Sequence, residues 1–80
     1  MRIHDQDGDK SLDRVALFLT PSEAKELKDD LGSILSKPAG THHVHISGDS
    51  YEKEITVCTY DVAKLSGFAP RARRLILEDQ

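Results

Sequence analysis

The sequence is poor in cysteine, in aromatic residues and in long apolar runs. Its 80 residues include one cysteine, no tryptophan, two tyrosines and two phenylalanines. A single cysteine excludes the intrachain disulfide framework that stabilises many small secreted domains. No apolar run approaches the roughly 20 residues needed to cross a bilayer, and the charged N-terminal residues do not form a signal peptide. We therefore expect a cytoplasmic protein that does not bind membranes.

An excess of positive charge is also missing. The formal net charge is −3, which argues against a nucleic-acid ligand because nucleic-acid-binding domains are usually basic. Apolar residues make up 38% and charged residues 31% of the chain, a balance typical of a folded domain with a solvated surface. A chain of this length is expected to form a single domain, residues 1–80, whose core is too small to enclose a deep pocket. We predict no enzymatic activity.

The first twenty residues divide into a polar part and an apolar part. Residues 1–12 contain the turn sequence Asp7-Gly8-Asp9, so they are predicted either to be flexible or to form a hairpin. Residues 13–20, DRVALFLT, are β-branched, aromatic-enriched and apolar on both faces. This pattern predicts the first strand of the main sheet.

A capped helix is predicted next. Thr20 is the expected N-cap, with Pro21 at the first helical position and Glu23 at the third. This is a capping box with proline where its missing N–H costs nothing. Apolar residues then recur at helical spacing, at Ala24, Leu27, Leu31, Ile34 and Leu35. Gly32 weakens the helix by about 1 kcal/mol relative to alanine, and Pro38 ends it.

Two strands and a second helix complete the pattern. Residues 42–47 (HHVHIS) and 52–60 (EKEITVCTY) predict a hairpin, and Pro70 begins a helix over residues 70–79. A right-handed crossover sets the first two strands parallel, and the third inserts between them. The predicted fold is α+β: a small β-α-β-β-α sandwich with a three-stranded antiparallel sheet of order 1-3-2 and helices on one face.

The second predicted strand carries a histidine cluster, His42, His43 and His45. On a strand, His43 and His45 point to the same face. If Val44 pairs with Val57, that face also carries Cys58, with Glu54 nearby; a slip of one residue would remove this convergence. Imidazole and thiolate groups are zinc ligands. One hypothesis is therefore a zinc site at these side chains, and the alternative is an ordinary solvated sheet face.

Other candidate sites have weaker patterns. Residues 5–9, DQDGD, resemble the opening of an EF-hand calcium loop, but its glycine position is Lys10 and its bidentate glutamate position is Ala16. An acidic turn is the better interpretation. Cys58 lies in no recognisable nucleophile arrangement and is typical of a small core residue.

Charge is unevenly distributed along the chain. Acidic residues crowd the start, at Asp5, Asp7, Asp9 and Asp13, and basic residues begin the last helix, at Arg71, Arg73 and Arg74. The three arginines are candidate contacts for a protein partner. The alternative is a solvated helix face.

Residues 15–79 resemble a family of short bacterial α+β proteins without an established activity. The resemblance lies in LFLTPSEAKEL, HHVHIS, EITVCTYD and RRLILED. It implies a bacterial single-domain protein and transfers no catalytic or binding residues. The capped helix after a strand is also similar to small immunity proteins that neutralise toxins, which is an analogy of size and layout only.

These patterns favour a small non-catalytic protein-interaction module without a cofactor. We expect it to bind a protein partner, or a second copy of itself through a strand edge. The alternative function is a metal-binding protein that uses the His42–His45 strand with Cys58.

Overall fold

The computed structural model describes residues 1–38, 43–48, 50 and 52–80. His42, predicted to begin a strand, lies outside the described residues. The elements in chain order are β1 (Ile3–Asp5), β2 (Lys10–Leu12), α1 (Pro21–Leu35), β3 (His43–Ser47), β4 (Glu54–Cys58) and α2 (Pro70–Glu78). The strands form two separate antiparallel pairs, β1 with β2 and β3 with β4. The α+β class is therefore confirmed.

Helix α1 begins as its sequence predicts. The Glu23 amide donates to the Thr20 hydroxyl at 3.2 Å, and the Thr20 amide donates to the Glu23 carboxylate at 2.8 Å. These two bonds satisfy amide donors that have no partner within the helix. Pro21 occupies the first helical turn, and Ser36 caps the C-terminal end. The capping box is confirmed.

The predicted three-stranded sheet is wrong. Residues 13–20 form no strand, and no backbone–backbone hydrogen bond joins residues 15–19 to another described residue. The order 1-3-2 is therefore replaced by two-stranded pairs. The local pattern of residues 13–20 favours extended backbone, but a strand also needs a neighbouring edge that accepts its hydrogen bonds.

The β1–β2 hairpin surrounds the acidic turn. The Asp5 carboxylate accepts hydrogen bonds from the amides of Asp7 at 3.1 Å and Gly8 at 3.0 Å. Asp9 has a φ of 51°, a left-handed conformation that aspartate and asparagine tolerate better than most residues. Because Asp5 already binds the amides of its own turn, its carboxylate acts as a turn-forming group here.

Polar contacts join helix α2 to this hairpin. The Arg2 side chain donates to the Ile76 carbonyl oxygen at 3.1 Å, and the Ser11 hydroxyl donates to Asp79 at 2.7 Å. Arg71 donates to the Asp9 carboxylate at 2.7 Å. The two ends of the chain are thus held together.

Both helices were predicted to cover one face of a single sheet. In the structure α1 packs against β3, whereas α2 is bonded to the β1–β2 hairpin.

The buried core is small. Among the described residues, the buried apolar side chains are Ile34, Ile46, Leu75 and Ile76. The radius of gyration is 13.3 Å, against about 12 Å for a compact chain of this length, and the molecule measures 35 × 31 × 18 Å. The apolar stripe of α1 is only partly covered: Ile34 is buried, whereas Leu35 at the end of the helix is exposed.

Two glycine substitutions should have opposite effects on stability. Gly32 lies inside α1, and a Cβ there meets no other atom within 4 Å, so Gly32→Ala should stabilise the protein by about 0.5–1 kcal/mol. A Cβ at Gly8 would lie 2.6 Å from an Asp5 oxygen. Gly8→Ala should therefore displace Asp5 from its turn and destabilise the protein by about 1 kcal/mol. Urea unfolding of both variants gives the test; equal effects would contradict it.

Candidate functional site

A cluster of exposed apolar side chains lies between β2 and α1 in sequence. We call residues 15–19 the apolar segment. The exposed fractions are 56% for Val15, 51% for Leu17 and 94% for Phe18. Three large apolar side chains in water within four positions are unusual because apolar surface is normally removed from solvent on folding. Such a surface is typical of a contact site.

A groove connects the apolar segment with the β3–β4 hairpin. It has a volume of about 350 Å³, and Phe18, Leu19, Ile46 and Ile55 contribute its apolar walls. Ser47 and Lys53 line its polar end. The groove therefore continues the exposed surface of the apolar segment into the partly covered face of the hairpin.

The histidine face is the outward face of β3 and β4, formed by His43, His45, Glu54, Thr56 and Cys58. The pairing considered in the sequence analysis, Val44 with Val57, is the one observed, so His43 lies opposite Cys58 and His45 opposite Thr56. The rings of His43 and His45 meet edge to face, with centroids 4.8 Å apart. Their shared face follows from the two-residue period of a strand.

Glu54 and Thr56 orient the His45 ring. Its Nδ1 lies 2.5 Å from a Glu54 carboxylate oxygen and 2.9 Å from the Thr56 hydroxyl. Glu54 is the diagonal neighbour of His45 across the hairpin, which is within reach of long side chains. With Nδ1 donating to the carboxylate, a neutral His45 keeps the lone pair on Nε2 and directs it away from Glu54.

Cys58 is a weaker candidate zinc ligand than its position on the histidine face suggests. Partial burial raises the pKa of its thiol, which disfavours the thiolate that binds zinc. In the described ranges, no group of three or more histidine, cysteine, aspartate or glutamate side chains is arranged to hold a metal ion. The histidine face therefore brings together His43 and His45, with Glu54 behind one of them.

The three candidate arginines have different surroundings. Besides the Asp9 carboxylate, Arg71 binds the Gln80 carbonyl oxygen at 2.9 Å, so this guanidinium is engaged within the fold. Arg73 is half-buried, and Arg74 is exposed. Partner binding by these side chains stays a prediction, which now depends mainly on Arg74.

The exposure of the apolar segment was not predicted from the sequence. Its residues were assigned to a buried strand because they are apolar on both faces. No signal within residues 13–20 distinguishes an exposed extended segment from a buried strand, because both have the same apolar, β-branched composition.

No protein-family profile, curated protein or solved structure matches the chain. The resemblance to a bacterial family accordingly stays a prediction. Within the part of the chain that the structure describes, neither helix has the length and apolarity needed to span a bilayer.

Removing the Asp9 carboxylate should change how the stability of the protein depends on pH. The hydrogen bond from Arg71, supported by one with His4, holds the pKa of Asp9 below its ordinary value. A lowered native pKa stabilises the protein above the unfolded-state pKa, near pH 4, and this contribution is lost as the pH falls through the native pKa. Asp9→Asn, which tolerates the same φ, should lower the thermal midpoint at pH 7 but not near pH 2.

The matched control is Asp29→Asn. Asp29 pairs with Lys25 at 2.8 Å within α1, so its loss breaks a local surface pair rather than a contact between distant segments, and it should have a smaller effect. A midpoint difference for Asp9→Asn that persists unchanged at every pH would contradict this account.

Proposed function

We propose that this chain is a small non-catalytic protein-interaction module whose contact surface is centred on the apolar segment. The single observation that supports this most directly is the exposure of Phe18. A phenylalanine in water loses the favourable transfer of its ring, about 2–3 kcal/mol, that burial would supply. A binding partner that covers the ring recovers that free energy.

Composition and shape also support a contact role. Aromatic anchors beside partly filled grooves are frequent centres of binding energy in protein interfaces. Here Phe18 adjoins a groove whose apolar walls continue to Ile46 and Ile55. The polar end, with Lys53, resembles the hydrophilic rim that surrounds such centres.

Site-specific photocrosslinking tests the module. The photoreactive residue p-benzoylphenylalanine replaces Phe18 in one variant and Leu77, an exposed apolar residue on α2, in the control. We expect covalent adducts with a polypeptide from the first position and few from the second, because contact surfaces are localised. Absence of adducts at Phe18, or equal yields at both positions, would reject the proposal.

A second candidate function is metal binding at the histidine face. The observation that favours it is the contact between Glu54 and Nδ1 of His45, since metal-binding histidines commonly donate their second nitrogen to a carboxylate. His43 adjoins that ring and would supply a second imidazole. Zinc would complete its tetrahedral coordination with Cys58 or with water.

Zinc binding is tested by elemental analysis of the purified, tag-free protein and by thermal melts before and after chelation. One equivalent of zinc and a lower midpoint after chelation are expected, because metal bound to the native state contributes to folding. Glu54→Gln should weaken zinc affinity by about 10–100-fold. No metal and no midpoint shift would reject this function and leave the interaction module unaffected.

A further inference from the structure

We propose that the apolar segment acts as a β-strand in trans: residues 15–19 of one copy add to the edge of β4 that faces away from β3 in a second copy, and the reciprocal exchange gives a symmetric dimer. This inference rests on the proposed function and identifies its partner. It also accounts for the mismatch between a sequence that favours a third strand and a monomer that lacks one.

The exposed area is the first argument. The accessible surface is 6176 Å², whereas a compact monomer of 8.9 kDa exposes about 4,800 Å². The excess, about 1,400 Å², exceeds the roughly 800 Å² that each partner buries in a stable interface. The surplus is therefore large enough to supply the surface of such an interface.

The backbone is the second argument. Residues 15–19 make no backbone hydrogen bond to another described residue, although their composition is that of a buried strand. A two-stranded hairpin such as β3–β4 is marginal in water, and a third strand is what such sheets need for stability. Within the described residues β4 pairs with β3 alone, so the amides of residues 15–19 and the other edge of β4 can satisfy each other's hydrogen bonds.

The third argument selects the edge. Helix α1 packs against β3, and Ile46 on β3 is 2% exposed. On β4, by contrast, Ile55 and Val57 are only half-buried. Leu17 of an added strand would lie beside these two side chains, which makes the β4 edge the one that gains most cover. Exchange of an identical segment between copies is a low-cost route to a dimer.

Sedimentation velocity on the purified chain, from about 1 to 500 µM, tests the proposal. We expect a shift from monomer to dimer as the concentration rises. Ala16→Pro removes one amide donor and blocks strand pairing, so it should raise the dimer dissociation constant about tenfold or more. Ala16→Ser, which keeps the amide, should remain close to the unmodified chain. Circular dichroism verifies that both variants fold.

Amide hydrogen exchange at high concentration provides a reading that needs no substitution. Alternate amides of residues 15–19 should be protected in the dimer and not in dilute samples, because alternate residues of a strand face its neighbour. A monomer at every concentration overturns the proposal, as does a dimer that is insensitive to Ala16→Pro and leaves residues 15–19 unprotected. In either case, adducts at Phe18 with a different polypeptide would still support the interaction module.

Discussion

The ion pair between Arg71 and Asp9 closes the ends of the chain onto each other. Asp9 ends the turn of the β1–β2 hairpin, and Arg71 lies in the first turn of α2, so one contact joins elements separated by 62 positions. Polar bonds beside it, from Arg2 and Ser11, set the position of the helix on the hairpin. With α2 held in this way, Leu75 and Ile76 are buried. The same closure places one aspartate of the acidic start, Asp9, against one arginine of the basic last helix, Arg71.

Elements encoded by local interactions were predictable from the sequence. The capping box at Thr20 and Glu23 involves residues three apart, so the start of α1 could be read without knowledge of tertiary structure. The β3–β4 hairpin was predicted from its two β-prone stretches, but the pairing of Val44 with Val57 was only a condition in that prediction, and the structure selects it. The prediction of a third strand was wrong because strand pairing depends on distant residues. The pattern of residues 13–20 favours extended backbone with apolar faces, but it does not specify which strand edge could accept its hydrogen bonds.

The candidate site likewise has features that local sequence encodes and features that depend on the folded chain. The shared face of His43 and His45 follows from strand periodicity, whereas the approach of Glu54 to Nδ1 needs the diagonal geometry of the folded hairpin. Arg71 was predicted as a partner contact because it is cationic, and the structure adds that its guanidinium pairs with the Asp9 carboxylate of its own chain. Charge can be counted in a sequence, but whether a charged group is already neutralised depends on contacts between residues far apart.

The exposed apolar segment also favours aggregation. Six residues, VALFLT, combine strong β-propensity with no charge and no proline, the composition of segments that stack into amyloid-like zippers. Charged Asp13 and Arg14 precede this window, and Pro21 follows it at the start of α1. Such flanking residues act as gatekeepers, because repeated stacking would bring like charges together and proline cannot extend a strand ladder. Flanking residues thus limit the length of the aggregation-prone stretch on both sides. This favours pairing between two copies over stacking into an open-ended fibre.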